Sequence, residues 1–317
     1  MTKQRKNSIQ GILMLTIASV IWGSAFVAQS TGAQYVGAFT FIVFRSFLGS
    51  AALLPVVIMR DKLKNKNVPI EKREKMSEKD KKYLIKAGII CGVVLTIATS
   101  LQQIALTLGT APGKAGFITS FYMLLVPIFS IALKKKVRPL IWCCSAAALG
   151  GLYLLCVTEH FTIESSDIVM FSCAVAFTFH IMIIDKVSPH VDGVKLSCIQ
   201  FFVAGCIATV PMLLTETIVL ADLKSAAFSI AYAGIMSSGV AFTLQILAQQ
   251  RIDPTIASML MSLESVFAIL TEILILSTMP TTREALGCVI IFAAIIVSQI
   301  PQKQRKKKVE TQEAIKT

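Results

Sequence analysis

Long apolar runs, separated by short polar segments, dominate the hydrophobic pattern of the chain. Ten runs occur, at residues 9–30, 37–59, 84–106, 115–133, 139–157, 168–185, 196–214, 228–248, 256–276 and 284–300. About 20 mainly apolar residues cross a bilayer as an α-helix. The runs do not alternate as the strands of a membrane barrel do. The pattern therefore predicts an all-α integral membrane protein with ten transmembrane helices, called spans 1 to 10 below.

The composition supports this prediction. Hydrophobic residues make up 55% of the 317 residues and charged residues 15%, whereas about 25% of a soluble domain is charged. The eight cysteines lie in or beside the apolar runs and form no C-x-x-C motif. The three histidines have no neighbour at metal-ligand spacing. We expect neither a metal site nor a cofactor.

The positions of the charged residues along the chain explain the net charge of +13. If the N-terminus is inside, 27 of the 31 Lys and Arg residues fall in the inner loops and tails, and only Lys114, Lys224 and Arg283 fall outside. This bias is the positive-inside rule. It predicts a multi-pass protein of the plasma or inner membrane with both termini cytoplasmic. We expect the basic segments to contact anionic lipid rather than nucleic acid.

The two halves of the chain resemble each other. Residues 103–122 align with residues 245–264 at an offset of 142. The pairs include Gln103 with Gln245, Pro112 with Pro254, Ser120 with Ser262 and Tyr122 with Glu264. Offsets of 156 and 155 pair Ser24 with His180 and Arg45 with Gln200.

A repeat unit of five helices must insert its second copy upside down. The sequence thus predicts two inverted five-helix repeats, an arrangement typical of secondary transporters. The predicted organisation is a cytosolic N-terminal tail (1–8), a first repeat (9–157) with a basic cytosolic loop (60–82), an outer linker (158–167), a second repeat (168–300) and a basic cytosolic C-terminal tail (301–317).

Five segments carry a resemblance to a known family. They are SVIWGSAF (19–26), FIVFRSFLG (41–49), TAPGKAGFITSFYMLLVPI (110–128), AFTFHIMIIDKVSPHVDGVKLSCIQF (176–201) and DPTIASMLMSLESVFAIL (253–270). The chain resembles the EamA-domain family of the drug/metabolite transporter superfamily, with two EamA repeats. The resemblance implies a carrier and favours export. The family usually has Glu-Pro where this chain has Glu264-Ser265, so we expect span 9 to bend less here.

Arg45 and Glu264 lie inside spans, where ionisable residues are rare and usually face the bundle interior. Arg45 could bind a carboxylate or phosphate of a substrate, or it could form a structural ion pair or reach the interface. Glu264 could exchange a proton during transport or pair with a cationic substrate. Alternatively, Glu264 is a packing carboxyl group hydrogen-bonded to Ser262 or Tyr122.

Five further residues complete the candidate set. Trp22, Ser24, Tyr122, His180 and Gln200 are candidates for the cavity wall, together with Arg45 and Glu264. Trp22 could instead pack against a neighbouring helix, and His180 could be a buried, hydrogen-bonded side chain.

Glu272 lies eight residues beyond Glu264, about 80° further round a helix. We expect it in an outer vestibule or a structural ion pair, with a place in the substrate path as the alternative.

These features predict a secondary transporter rather than an enzyme. The substrate would be a small polar metabolite such as an amino acid, moved by alternating access and coupled to protons through Glu264. An uncoupled facilitator is the main alternative, followed by a membrane sensor or an intramembrane hydrolase. The chain has no Gly-rich nucleotide loop. Its expected partners are the substrate and the lipid bilayer, as a monomer or a homodimer.

Overall fold

The computed structural model describes residues 3–65, 76–156, 164–276 and 281–300, and every regular element in these ranges is helical. The α-helices are α1 Lys3–Ala33, α2 Ala38–Asn65, α3 Glu78–Thr107, α4 Pro112–Thr119, α5 Tyr122–Ala132, α6 Pro139–Cys156, α7 Ser165–Val187, α8 Gly193–Thr215, α9 Leu220–Ser225, α10 Ala227–Tyr232, α11 Phe242–Gln249, α12 Pro254–Met261, α13 Leu263–Leu276 and α14 Thr282–Ser298. A 3₁₀ turn, Ser188–His190, precedes α8. The all-α membrane class is confirmed.

The spans map directly onto these helices. Among the described residues, eight helical stretches are long and apolar enough to cross a membrane. Span 4 combines α4 and α5, span 8 runs from α10 through α11, and span 9 combines α12 and α13. Spans 5 and 10 are shorter helices, Pro139–Leu155 and Thr282–Ser298, which pack along each other.

Spans 4 and 9 are broken at equivalent places. Each begins with a proline, which suits the first turn of a helix. The break in span 4 follows Thr119, and the break in span 9 falls at Ser262. The Ser262 hydroxyl donates to the Met259 carbonyl at 2.7 Å, a bond that bends helices. Span 9 is therefore broken without a proline, and the expectation that it bends less than in the family's other members stays a prediction.

Span 8 differs from its counterpart in the first repeat. Residues Ala233–Ala241 form a π-helical segment, whereas span 3 is one continuous α-helix. Such segments arise from a one-residue insertion and often occur at functional sites.

The packing of the spans follows the repeat. Span 2 packs on span 7, and span 5 packs on span 10. Span 3 contacts spans 6 and 7, just as span 8 contacts spans 1 and 2. Spans 4 and 6 are in contact, as are spans 9 and 1. Each of these pairings has its counterpart, as expected of two five-helix units related by a two-fold axis.

Polar contacts link spans 2 and 7 at both ends of their helices. The Glu216 carboxylate, at the end of span 7, accepts backbone N–H bonds from Phe39 (2.8 Å) and Thr40 (2.7 Å) at the start of span 2. At the opposite end, Asp61 of span 2 pairs with Lys195 of span 7 at 2.7 Å. Asp61 and Glu216 are 155 residues apart, the offset that also pairs Arg45 with Gln200.

Asp192 begins span 7 beside this contact. Its carboxylate caps the helix by accepting from the backbone N–H groups of Val194 and Lys195. Arg60 and Lys64 of span 2 lie 3.3 and 3.7 Å from it. Partial burial would raise the pKa of Asp192, but these hydrogen bonds and positive charges outweigh burial and hold the pKa below its ordinary value.

The predicted segment boundaries differ in detail from the helices. Helix α1 starts at Lys3, inside the predicted N-terminal tail. Both ends of the predicted loop 60–82 are helical, and the Ser77 hydroxyl caps α3 by accepting from the Asp80 N–H at 3.1 Å. Residues 66–75, most of the linker (157–163) and the C-terminal tail (301–317) lie outside the described residues.

Candidate substrate cavity

A central cavity of about 30 Å³ lies where seven spans meet. Its wall consists of Trp22, Phe26, Gln29, Arg45, Gln102, Thr119, Tyr122, Phe177, Ser237, Phe242, Gln245, Met261 and Glu264. Both repeats contribute to it. This volume holds one or two water molecules, so a larger molecule fits only if the wall residues move apart.

Arg45 contributes a buried cation to this wall. Its side chain is 2% exposed. The guanidinium group donates to Gln29 Oε1 and, at 3.2 Å each, to the hydroxyls of Ser237 and Ser238 in the π-helical segment. These bonds use three of its five N–H groups. The ion pairs found in the described part of the chain do not include Arg45, so its wall partners are neutral oxygens.

Glu264 joins the two broken spans. Tyr122 donates its hydroxyl hydrogen bond to Glu264 Oε1 at 2.8 Å. The hydroxyls of Ser120 and Ser265 lie 2.7 Å apart beside this contact. Both links connect the break of span 4 to the break of span 9. Glu264 thus lines the cavity and is also hydrogen-bonded to Tyr122.

Aromatic rings form much of the remaining wall. Trp22 meets Phe242 edge-on with ring centroids 5.0 Å apart, and Phe177 stacks on Phe242 at 6.4 Å. Two polar atoms of the wall, Trp22 Nε1 and Gln245 Oε1, have no hydrogen-bond partner among the described residues. The cavity therefore offers an apolar surface with a spare donor and a spare acceptor.

The structure separates the sequence candidates into two groups. Trp22, Arg45, Tyr122 and Glu264 come together in the cavity wall. Ser24, His180 and Gln200 lie outside it.

The residues outside the wall are engaged elsewhere. The Ser24 hydroxyl lies 2.6 Å from the Tyr232 hydroxyl. His180 Nε2 and Gln200 Oε1 are 3.1 Å apart, and both side chains are fully buried. Glu272 lies on α13, but its side chain falls outside the described residues.

Several wall residues were missed because they carry no charge. Gln29, Gln102 and Gln245 lie within apolar runs, and Ser237 resembles the many small residues of membrane helices. The repeat alignment did mark Gln245, but only as a matching position. Within the described residues, no group of three or more His, Cys, Asp or Glu side chains could hold a metal ion.

Comparison with known proteins agrees with this architecture. A relative from Archaeoglobus fulgidus, described as "Uncharacterized transporter", is 27% identical over 290 residues, or 90% of this chain and 84% of the relative. A solved structure titled "Crystal structure of protein" superposes with a TM-score of 0.72 at 18% identity, over 91% of this chain and 96% of that one. That likeness concerns the fold alone.

The family model of the EamA-like transporter family matches two segments, residues 9–157 and 164–299. Together they cover most of the chain and indicate a transporter rather than an enzyme. The chain belongs to the EamA-like transporter family and is a multi-pass membrane transporter of the drug/metabolite transporter class.

Proposed function

We propose that this transporter exports a small zwitterionic metabolite such as an amino acid, by alternating access around the central cavity, in exchange for protons. One observation carries the proposal. Arg45, whose hydrogen-bond partners are neutral, and Glu264 line the same cavity. A ligand with one carboxylate and one ammonium group complements both side chains.

Arg45 provides the carboxylate-binding half of the site. A guanidinium group matches a carboxylate with two parallel hydrogen bonds. A buried charge with neutral partners gains more from a counter-ion than a charge in water does, because the surroundings screen the attraction less. A substrate carboxylate would take over N–H groups now directed to Ser237 and Ser238.

Glu264 provides the ammonium-binding half. Its Oε1 atom accepts from Tyr122, which leaves the second carboxyl oxygen for a substrate amine. The rings of Trp22, Phe177 and Phe242 would contact an apolar side chain of the substrate.

The same carboxyl group suggests the coupling. A proton and a substrate ammonium group are alternative partners for Glu264, because each neutralises the one carboxylate. A cycle in which substrate leaves in one direction and a proton returns in the other follows from this competition. The basic residues at one end of the bundle support a plasma-membrane orientation with both termini cytoplasmic.

A flux assay tests this proposal. Proteoliposomes containing the full chain are loaded with the twenty proteinogenic amino acids, and the external medium is analysed by mass spectrometry. We expect efflux of some of them, faster under an imposed pH gradient, and Glu264→Gln should abolish the acceleration. Asp222→Asn is the matched control, because Asp222 is an exposed carboxylate on α9.

Two outcomes would contradict the proposal. Efflux no faster than from empty liposomes for all twenty compounds would reject amino acids as substrates. Efflux that responds neither to the pH gradient nor to Glu264→Gln would favour the uncoupled facilitator.

A further inference from the structure

His180 and Gln200 form a second polar pair outside the cavity wall. Both are fully buried, and they share one hydrogen bond of 3.1 Å. Each retains a polar atom, His180 Nδ1 and Gln200 Nε2, without a partner among the described residues. Most buried polar atoms of native proteins are paired, so two such atoms on neighbouring side chains call for a missing partner.

The repeat relates this pair to Arg45. Gln200 lies seven residues into α8, and its partner Arg45 lies seven residues into α2. Because the repeats are inverted, the two residues lie toward opposite ends of the bundle. His180 lies seven residues before the end of α7, at the same end as Gln200. This end carries Lys186 and Lys195 and is the predicted cytoplasmic one.

Phe242 contacts both this pair and the cavity. Its ring lines the cavity and meets Trp22 there at 5.0 Å. The same ring meets His180 edge-on, with centroids 6.0 Å apart. The Phe242 ring therefore contacts both the cavity residue Trp22 and His180, which is hydrogen-bonded to Gln200.

The position of Phe242 in its helix allows the ring to move. Phe242 is the first residue of α11 and follows the π-helical segment directly. Conversion of that segment to α-helix shifts the register by one residue, which corresponds to a turn of about 100°. The same segment carries Ser237 and Ser238, which bind Arg45. Substrate binding at Arg45 and movement of Phe242 would therefore both change the π-helical segment.

We infer that His180 and Gln200 form a second, uncharged site on the translocation path, which takes a polar group of the substrate when Phe242 moves aside. The donor of Gln200 and the acceptor of His180 suit a carboxylate or amine without holding it as a full charge would. This inference rests on the proposed transport function.

Cysteine accessibility tests the site without a known substrate. Gln200→Cys is introduced with and without Phe242→Ala, in inside-out membrane vesicles. A membrane-impermeant methanethiosulfonate reagent is applied, and each cysteine is quantified by mass spectrometry of its peptide. We expect labelling of position 200 and, because the rate follows the population of the open state, about tenfold faster labelling with Phe242→Ala.

The control is Ala208→Cys, on the same helix. Ala208 is equally buried but packs against Ile42 and Val43 of span 2. It should label slowly with or without Phe242→Ala. The inference is overturned if position 200 reacts as slowly as position 208 in both backgrounds. It is also overturned if Phe242→Ala accelerates both positions equally, which would show general loosening.

A flux measurement separates a substrate site from a structural pair. The double variant His180→Phe with Gln200→Leu removes both unpartnered atoms together, a change that a merely structural pair tolerates. For any amino acid that the wild-type protein transports, we expect flux to fall about tenfold, and the rate reports transition-state stabilisation. Unchanged flux would reject the site. If no amino acid is transported, the labelling result still decides, so the two proposals fail separately.

Discussion

Tyr122 donates a 2.8 Å hydrogen bond to Glu264, and the two residues occupy equivalent positions of the two repeats. Each follows the break in its span, so the two-fold axis places a phenol opposite a carboxyl group. The two residues are equivalent in position but differ in chemistry, and their hydrogen bond forms the polar centre of the cavity.

Removing the phenol hydroxyl should weaken the fold at this centre. Tyr122→Phe leaves the Glu264 carboxyl group without its donor, at a cost of about 1–3 kcal/mol. We expect a lower Tm in detergent, measured by intrinsic fluorescence. Tyr153→Phe is the control, because Tyr153 is exposed and its ring still faces Arg283. Equal Tm values for the two variants would contradict the role of the hydrogen bond.

Arg45 should resist replacement by lysine. An ammonium group keeps the charge but cannot reproduce the fork that reaches Gln29, Ser237 and Ser238. For a transported amino acid, we expect Arg45→Lys to weaken the apparent affinity at least about tenfold, or ~1.4 kcal/mol. Concentration-dependent efflux provides the measurement. Arg251→Lys, at an exposed position, should leave the affinity unchanged. Wild-type affinity in Arg45→Lys would remove Arg45 from the binding site.

The fastening of spans 2 and 7 depends on a glycine. A Cβ atom at Gly37 would lie 2.2 Å from the Glu216 carboxyl carbon. Gly37→Ala should therefore displace Glu216 from the N–H groups of Phe39 and Thr40, and destabilise the protein by about 1–3 kcal/mol.

A second glycine provides the control. Gly150 has open space where its Cβ would lie, and Gly150→Ala should be neutral or stabilising by up to about 1 kcal/mol. Both variants can be compared by thermal unfolding in detergent. A Gly37→Ala variant as stable as Gly150→Ala would show that the carboxylate contributes little.

The charge of Asp192 should stabilise the protein only above acidic pH. Its pKa is lower in the folded protein than its ordinary value of 3.8. Its contribution is therefore present above that value and disappears as the pH falls through the folded-state pKa. Asp192→Asn keeps a good helix cap but removes the charge. We expect the Tm difference between wild type and this variant to shrink as the pH falls from 6 toward 3.

Salt gives a second measurement for the same residue. The contacts with Arg60 and Lys64 are partly exposed to solvent and should weaken as ionic strength rises. Asp222→Asn, on the exposed helix α9, should show no such dependence. If the Tm difference between wild type and Asp192→Asn is the same at every pH, the stabilisation does not come from the charge of Asp192 but from the helix cap.

Much of the fold could be predicted from sequence, since the number of apolar runs depends on local composition. The helix breaks in spans 4 and 9 could not be predicted from the sequence. At Ser262 the helix ends through a hydroxyl bond to Met259, and no proline marks it. The π-helical segment likewise could not be predicted from the local sequence. Its Ser237 and Ser238 hydroxyls accept hydrogen bonds from Arg45, which lies far away in the chain.

The sequence predicted four residues of the candidate site, namely Trp22, Arg45, Tyr122 and Glu264. Arg45 and Glu264 stood out because ionisable residues in spans are rare. That they share a cavity depends on the tertiary structure, and so does the contact of His180 with Phe242 outside the cavity wall. The repeat alignment came closest to this result, because it paired Tyr122 with Glu264 before any contact between them was known.

The π-helical segment has a thermodynamic consequence. In a carrier with two identical inverted halves, a two-fold rotation would convert the outward-open state into the inward-open state, and the two states would have equal free energy. Here only the second half carries the segment, and only the first half carries the arginine that it binds. If the proposed transport cycle operates, its two states should therefore differ in free energy, and we expect the empty protein to have a preferred resting side.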